Sequence, residues 1–137
     1  MSRENVDLAL LMCELFNRRD LDRFLALMHD EVEIESRLVA MEGAYHGHEG
    51  VREFFRVFMD PWERISLVAE EFIESGDLVV ALGHFHAKGR NSGLEIDGPF
   101  GQVLTMRQGR VVRLRGFPDH AQALEAVGLR SSDRKLS

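Results

Sequence analysis

The chain has 137 residues, of which 45% are hydrophobic and 29% are charged, and this composition is typical of a single soluble globular domain. Its net charge of -6 argues against a nucleic-acid partner, because binding to phosphate groups requires concentrated lysine and arginine. The sequence has neither a run of about 20 apolar residues that could span a membrane nor a signal-peptide pattern at its start, so we expect a cytoplasmic protein without a membrane partner.

Cys13 is the single cysteine of the chain, and it lies in a run of apolar residues. An intramolecular disulfide is therefore excluded, and the apolar surroundings favour a buried thiol over a nucleophile. A lone cysteine also fits a reducing, cytoplasmic setting.

The first third of the chain predicts a helical hairpin followed by a strand. Residues 5–16 carry more apolar side chains than one helical stripe can hold, which indicates a helix buried on two sides. Asp20 is placed to cap a second helix at residues 21–28. Residues 32–38 alternate at period two, so every second residue, Ser36 among them, is predicted to share one face of a strand.

A loop and a third helix are predicted next. Residues 42–50 are punctuated by glycines and lead into a helical stripe of apolar residues. The stripe consists of Val51, Phe54, Phe55 and Phe58. Asp60 and Pro61 end this helix, because the residue before a proline is pushed out of the helical region.

His46 and His48 form a His-x-His pair in the loop, which raises the question of a metal site. Such a site needs a third and usually a fourth ligand. The sequence offers no nearby cysteine or carboxylate cluster to supply them. We therefore predict no metal and no cofactor, and we interpret this loop as structural.

The remaining residues predict an antiparallel sheet and a closing helix. A strand at residues 65–73 leads through a turn into three consecutive antiparallel strands within residues 76–119. Asp119 and Gln122 have the spacing of a capping box, which predicts a short helix at residues 121–127.

The first of these three strands carries two histidines. Successive side chains of a strand point to opposite faces of the sheet. One face carries Leu82, His84 and His86, and the other carries Ala81, Gly83 and Phe85. We take the face of the histidines, which also has apolar neighbours, to point inward.

The order of these elements and six local motifs resemble the SnoaL-like group of the nuclear transport factor 2-like superfamily. The motifs are FNRRDLD at residues 16–22, HGHEGVREFF at 46–55, GDLVV at 76–80, PF at 99–100, GRVVRL at 109–114 and FPD at 117–119. The resemblance covers nearly the whole chain, as one domain at residues 1–129 with a polar tail at residues 130–137.

The resemblance implies an α+β fold in which a curved, mostly antiparallel sheet wraps around three or so N-terminal helices. It also implies a conical apolar pocket between the helices and the sheet, and commonly a homodimer formed through the outer face. Function does not follow from this fold, because it hosts isomerases, cyclases, hydrolases, dehydratases and proteins without catalysis.

Three positions in the resemblance bear on proton-transfer chemistry. The resemblance places the oxyanion-binding tyrosine of ketosteroid isomerases at the position of Met12 in this chain, and their aspartate base at the position of Ser36. The protonated acid that assists the tyrosine falls near Gln102, as does the acid of the SnoaL-type cyclases. Glutamine donates a hydrogen bond but does not exchange a proton at neutral pH, so this mechanism is not expected.

His84 and His86 remain as candidate catalytic residues. Limonene epoxide hydrolases, which are similar in fold, place an arginine and an aspartate two residues apart on the corresponding strand. A histidine pair is able to act as base and acid, because the ordinary pKa of histidine lies near neutrality. Alternatively, both histidines are hydrogen-bonded groups that set the polarity of the pocket, or their face is external.

From these observations we predict binding of a small, mostly apolar organic molecule in the cone, with His84, His86 and Gln102 as polar contacts and Tyr45 at the mouth. The predicted apolar lining is Met12, Phe24, Phe54, Phe58, Phe100 and Leu104. One alternative is an isomerase, cyclase or epoxide-hydrolase-like enzyme that uses the two histidines. A second is a structural homodimer whose cone is filled by its own aromatic side chains.

Overall fold

A computed structural model describes residues 3–36 and 44–129. The helices are α1 (Arg3–Asn17), α2 (Leu21–Ala26), α3 (Gly47–Met59) and α4 (His120–Glu125). The strands are β1 (Met28–Ser36), β2 (Tyr45–His46), β3 (Trp62–Ser75), β4 (Leu78–Gly89), β5 (Glu95–Arg107) and β6 (Arg110–Phe117). The predicted polar tail lies outside the described residues.

The strands form one sheet in the order β2-β1-β6-β5-β4-β3. All neighbouring strands are antiparallel except β1 and β6, which are parallel. Strands β3 to β6 follow each other in the chain as a meander, as predicted. The α+β fold with a mostly antiparallel sheet is therefore confirmed, and no helix of residues 3–36 and 44–129 is long and apolar enough to cross a membrane.

The helical hairpin turns where predicted, but its second helix is shorter. The Asp20 side chain caps α2 by accepting a hydrogen bond from the backbone N–H of Arg23 at 3.3 Å. The helix ends at Ala26 because β1 begins at Met28, four residues earlier than predicted. Met28 pairs with Val111 of β6, and this backbone pairing outweighs the helical tendency of residues 27 and 28.

An aromatic cluster holds the three N-terminal helices together. The Phe55 ring of α3 lies 5.6 Å from Phe16 of α1 and 4.7 Å from Phe24 of α2, both in edge-on geometry. Phe54 and Phe58, on the same predicted stripe, are also buried. The stripe predicted from spacing therefore faces the core, and α3 ends at Met59, directly before the predicted stop.

The two faces of the sheet carry separate apolar clusters. The inner face, which includes Phe85, Phe100 and Leu104, packs with α1, α2 and α3 in one cluster. The outer face is partly covered by α4, whose Leu124 packs with outer-face residues in a second cluster. Those outer-face residues are Val80, Leu82, Val103 and Phe117.

A bulge in β3 bends the sheet opposite Gly83. Ala69 pairs with Gly83 and Glu71 with Leu82, so Glu70 is an extra residue on the β3 side. The β3 backbone approaches so closely that a Cβ atom at Gly83 would lie 1.9 Å from the carbonyl oxygen of Val68. Only glycine fits at this contact.

The free edge of β3 is bound by a side chain from α1. The carboxamide of Asn17 donates from Nδ2 to the carbonyl oxygen of Leu67 and accepts from the Leu67 N–H, both at 2.8 Å. Asn17 thereby fixes the end of α1 against the sheet, 50 residues away in the chain.

The inward assignment of His84 and His86 is wrong, although their alternation with Phe85 was predicted correctly. Both side chains lie on the outer face, where they are 55% and 47% exposed. Val80 and Leu82 lie on the same face of β4 as the two histidines. These apolar residues are covered by α4 and not by the N-terminal helices.

Both imidazoles pair with carboxylates on neighbouring strands. Nδ1 of His84 lies 2.7 Å from Glu70 Oε1. Nδ1 of His86 pairs with Asp97, and its Nε2 lies 3.2 Å from Glu95 Oε1. The hydrogen bond and charge of Asp97, with a smaller contribution from Glu95, raise the pKa of His86 above its ordinary 6.5.

Replacement of Gly83 tests the contact at the bulge. Gly83→Ala is expected to lower the free energy of unfolding by at least about 3 kcal/mol, because the added methyl group displaces the β3 backbone. Gly76→Ala is the matched control, since the φ of +61° at this position would strain alanine but the added Cβ would meet no atom within 4 Å. The control should lose about 1–2 kcal/mol in denaturant unfolding. Equal losses in the two variants would contradict a steric role for Gly83.

Titration by NMR tests the His86 ion pair. Asp97→Asn should lower the pKa of His86 toward 6.5, because it removes the hydrogen-bonded carboxylate. Glu70→Gln, which removes the partner of His84, should leave the pKa of His86 in place. A raised folded-state pKa stabilises the fold below pH 6.5, and this contribution is lost as the pH rises through the raised value. Asp97→Asn should therefore reduce stability more at about pH 5.5 than at about pH 9.

Candidate ligand-binding site

A small cavity lies between the N-terminal helices and the inner face of the sheet. Its walls are Met12, Cys13, Phe16, Phe24, Ser36, Phe54, Phe58, Leu67, Gln102, Leu114 and Gly116. The free space in it is about 20 Å³, enough for about one water molecule. Most of the walls are apolar side chains from α1, α2 and α3.

The cavity brings together five of the residues predicted to contact a ligand. They are Met12, Phe24, Phe54, Phe58 and Gln102. Phe100 and Leu104 are fully buried in the inner core but do not line the cavity. Tyr45 also lies outside the lining, with its ring 6.0 Å from that of Phe54.

Sequence reasoning had not assigned several of the lining residues to a site. Leu114 and Gly116 alternate on β6, so period two would have placed them on one face, but nothing local indicated which face. Leu67 and Phe16 line the cavity because segments distant in the sequence pack together in the fold. Ser36 had been singled out only through its position in the resemblance.

The polar residues of the cavity lie in one row across three strands. Ser36 of β1 pairs with Gly116 of β6, and Gly116 pairs with Gln102 of β5. All three residues line the cavity, and Gly116 carries no side chain. The backbone of β6 is therefore all that lies between Ser36 and Gln102 on this face.

The Gln102 side chain is buried without a complete set of hydrogen bonds. It is 7% exposed, and within the described part of the chain its Oε1 has no hydrogen-bond partner. Leaving a buried acceptor unpaired costs about 1–3 kcal/mol. Oε1 of Gln102 therefore requires a hydrogen-bond donor that the described part of the chain does not supply.

Cys13 lies in the cavity wall as a buried thiol, as predicted. Its residue is 4% exposed. Burial, together with the nearby charge of Glu14, raises the pKa of the Cys13 thiol to about 12. The sulfur is therefore protonated at neutral pH and is a poor nucleophile.

An apolar groove adjoins the cavity on the same side of the sheet. Its walls are Phe58, Trp62, Ile65, Leu67, Phe85, Ile96, Gly98, Pro99 and Pro118. The groove has a volume of about 340 Å³. Phe58 and Leu67 line both spaces, so the groove and the cavity are neighbours.

The remaining histidines of interest are directed away from this site. The thickness of the sheet separates His84 and His86 from the cavity. His46 Nε2 lies 3.0 Å from Glu31 Oε1, whereas His48 Nε2 lies 3.1 Å from the carbonyl oxygen of Met28. Within residues 3–36 and 44–129, no three His, Cys, Asp or Glu side chains converge as metal ligands would.

Comparison with known proteins connects this geometry to relatives. TerC, whose structure was solved in co-crystals with polyporic acid, is 28% identical with a TM-score of 0.76, over 85% of this chain and 92% of TerC. A nuclear transport factor 2-like protein of unknown function from Burkholderia pseudomallei is 29% identical with a TM-score of 0.77, over 96% of this chain and 99% of that one.

A more distant structure shares the fold alone. It is a Mycobacterium tuberculosis protein in complex with estradiol-17beta-hemisuccinate, 19% identical with a TM-score of 0.73, over 85% of this chain and 94% of that one. No curated protein matches the chain.

The profile of the SnoaL-like domain matches residues 10–114, which run from the middle of α1 into β6. This match spans well over half of the 137 residues. The chain belongs to the SnoaL-like domain family and has the ketosteroid isomerase-like cone fold of the nuclear transport factor 2-like proteins.

Proposed function

We propose that this SnoaL-like protein binds a small, mostly apolar organic molecule between its N-terminal helices and the inner face of the sheet. The observation that carries the proposal is the open apolar groove that adjoins a buried cavity. Its volume of about 340 Å³ is within the usual range for small-molecule sites, which runs from about 300 to 1,000 Å³.

The ligands of two neighbours support this class of molecule. TerC was crystallised with polyporic acid, and the Mycobacterium tuberculosis protein with estradiol-17beta-hemisuccinate. Both are small organic compounds. They indicate what a cone of this shape accommodates, and they supply probes for this chain.

The body of the ligand would lie in the groove against Trp62, Phe85 and Ile96, which are only partly buried. Its deeper end would enter the cavity past Phe58. Because the cavity holds only about 20 Å³, this entry requires side chains to move. Met12 is suited to such movement, since its unbranched side chain has three rotatable bonds.

Other predicted contacts take supporting positions in this proposal. Phe24, Phe54 and Gln102 form the deep end of the site. Phe100 and Leu104 stabilise the wall from within the core, and Tyr45 supports Phe54.

Catalysis is not part of the proposal. Met12, Ser36 and Gln102, which line the cavity, have no side chain that exchanges protons at neutral pH. The enzyme alternative relied on His84 and His86, and the sheet separates both imidazoles from a ligand in the groove. No contact in the described residues favours that alternative.

We also propose a cytoplasmic homodimer formed through the outer face. The single cysteine fits a reducing compartment. Val68 on the outer face is 56% exposed, an apolar side chain beside the imidazole of His84 that a second copy would cover. The net charge of -6 disfavours nucleic acid as the partner.

A pair of charge substitutions tests the groove. Ile96→Glu places a carboxylate against the bound ligand, so it should weaken binding of polyporic acid or estradiol-17beta-hemisuccinate at least about tenfold. Leu94→Glu is the matched control, because Leu94 is 64% exposed and does not line the groove. The measurement is isothermal titration calorimetry, supported by NMR shifts at Leu67 and Phe85.

Two results would contradict the proposal. One is the absence of binding by the unmodified protein to both probes and to a panel of related cyclic compounds. The other is an equal loss of affinity in the two variants, which would show that added negative charge alone explains the effect.

A further inference from the structure

This inference rests on the proposed function and specifies its ligand. We propose that the ligand carries a hydrogen-bond donor, such as a hydroxyl group on a ring, which binds the Gln102 carboxamide oxygen at the deep end of the cavity. The protein would therefore prefer a hydroxylated ring to the same ring without the hydroxyl group.

The Gln102 side chain is buried in apolar surroundings. Gln102 is the only polar residue among residues 3–36 and 44–129 that is buried, with 7% of its surface exposed. Its neighbours in the cavity wall include Phe24, Phe54 and Leu114, which offer no hydrogen bond from their side chains. A polar group in such surroundings is strongly disfavoured unless a partner reaches it.

The unpaired atom sets the chemistry of the partner. Oε1 of Gln102 is an acceptor, and within the described chain no donor approaches it. A hydroxyl group supplies that donor, whereas a ketone has no donor and would leave Oε1 unpaired. This preference is opposite to that implied by the resemblance, in which the acid near this position donates to a ligand oxygen.

The space beside Gln102 suits one oxygen atom of the ligand. Gly116, directly across from Gln102, has no side chain, and the free space of about 20 Å³ accommodates a group about the size of water. The aromatic and aliphatic walls accommodate the carbon atoms attached to that oxygen. The same volume would also hold one water molecule, so the experiment must separate a ligand hydroxyl group from a resident water.

Two probes of nearly the same shape make that separation. 2-Naphthol carries a hydroxyl group where 2-methylnaphthalene carries a methyl group. The unmodified protein should bind 2-naphthol about tenfold more tightly, since a hydrogen bond inside an apolar site contributes on that scale. Calorimetry or competition with a groove-bound fluorescent probe measures both affinities.

Gln102→Met removes the acceptor while keeping a side chain of similar length. In this variant the tenfold preference should disappear, and the melting temperature should stay the same or rise, because an unpaired buried oxygen is removed. Gln108→Met makes the same exchange at an exposed turn and should leave the preference unchanged.

The outcomes separate the two levels of the proposal. Equal affinity of the unmodified protein for both probes would overturn the donor inference, because a resident water then satisfies Gln102, while ligand binding itself would stand. A preference that survives in Gln102→Met would also overturn it. Failure of both probes to bind would overturn the proposed function and this inference with it.

Discussion

The curvature of the sheet depends on the contact between Gly83 and the β3 backbone. The extra residue in β3 requires the strand to bend, and the missing side chain on β4 allows the two backbones to meet, with only 1.9 Å available for a Cβ atom. A flat sheet would not leave a concave side in which three helices are able to pack. The bulge opposite Gly83 therefore contributes to the concave side on which the cavity and the groove lie.

Local patterns in the sequence were sufficient for most of the fold. The capping box is an example, because the Asp119 side chain accepts from the Gln122 N–H at 2.8 Å and is in turn bound by the Gln122 side chain. These backbone and side-chain hydrogen bonds lower the pKa of Asp119, as expected for a carboxylate that caps a helix. The spacing of the α3 phenylalanines likewise predicted which side of that helix is buried.

The side of the sheet that faces the site was not predictable in the same way. Alternation along β4 separated His84 from Phe85 correctly, but both faces of this strand carry apolar residues. The reason is α4, which covers Val80 and Leu82 on the outer face. Because these residues are apolar, the sequence of the outer face resembles that of a buried face. The start of β1 was missed for a related reason, because its pairing with β6 joins segments about 80 residues apart.

The chemistry at the deep end of the site is uncharged. Within the cavity wall, the polar side chains of Ser36 and Gln102 are uncharged, and the Cys13 thiol stays protonated. The titratable imidazoles are placed on the opposite face, where water and carboxylates surround them. The polar groups of the cavity wall are thus insulated from changes in pH that alter the charge of the outer face.

The carboxamide of Asn17 has a consequence for the behaviour of the protein at high concentration. β3 is an edge strand, and an edge strand with free N–H and C=O groups invites strand addition by another chain and hence aggregation. By occupying the N–H and C=O groups of Leu67, Asn17 interrupts the row of free groups on the longest strand described. The opposite edge is formed by β2, which at two residues is too short to template a partner. Each open edge of the sheet therefore carries a feature that disfavours fibre-like association between copies of the chain.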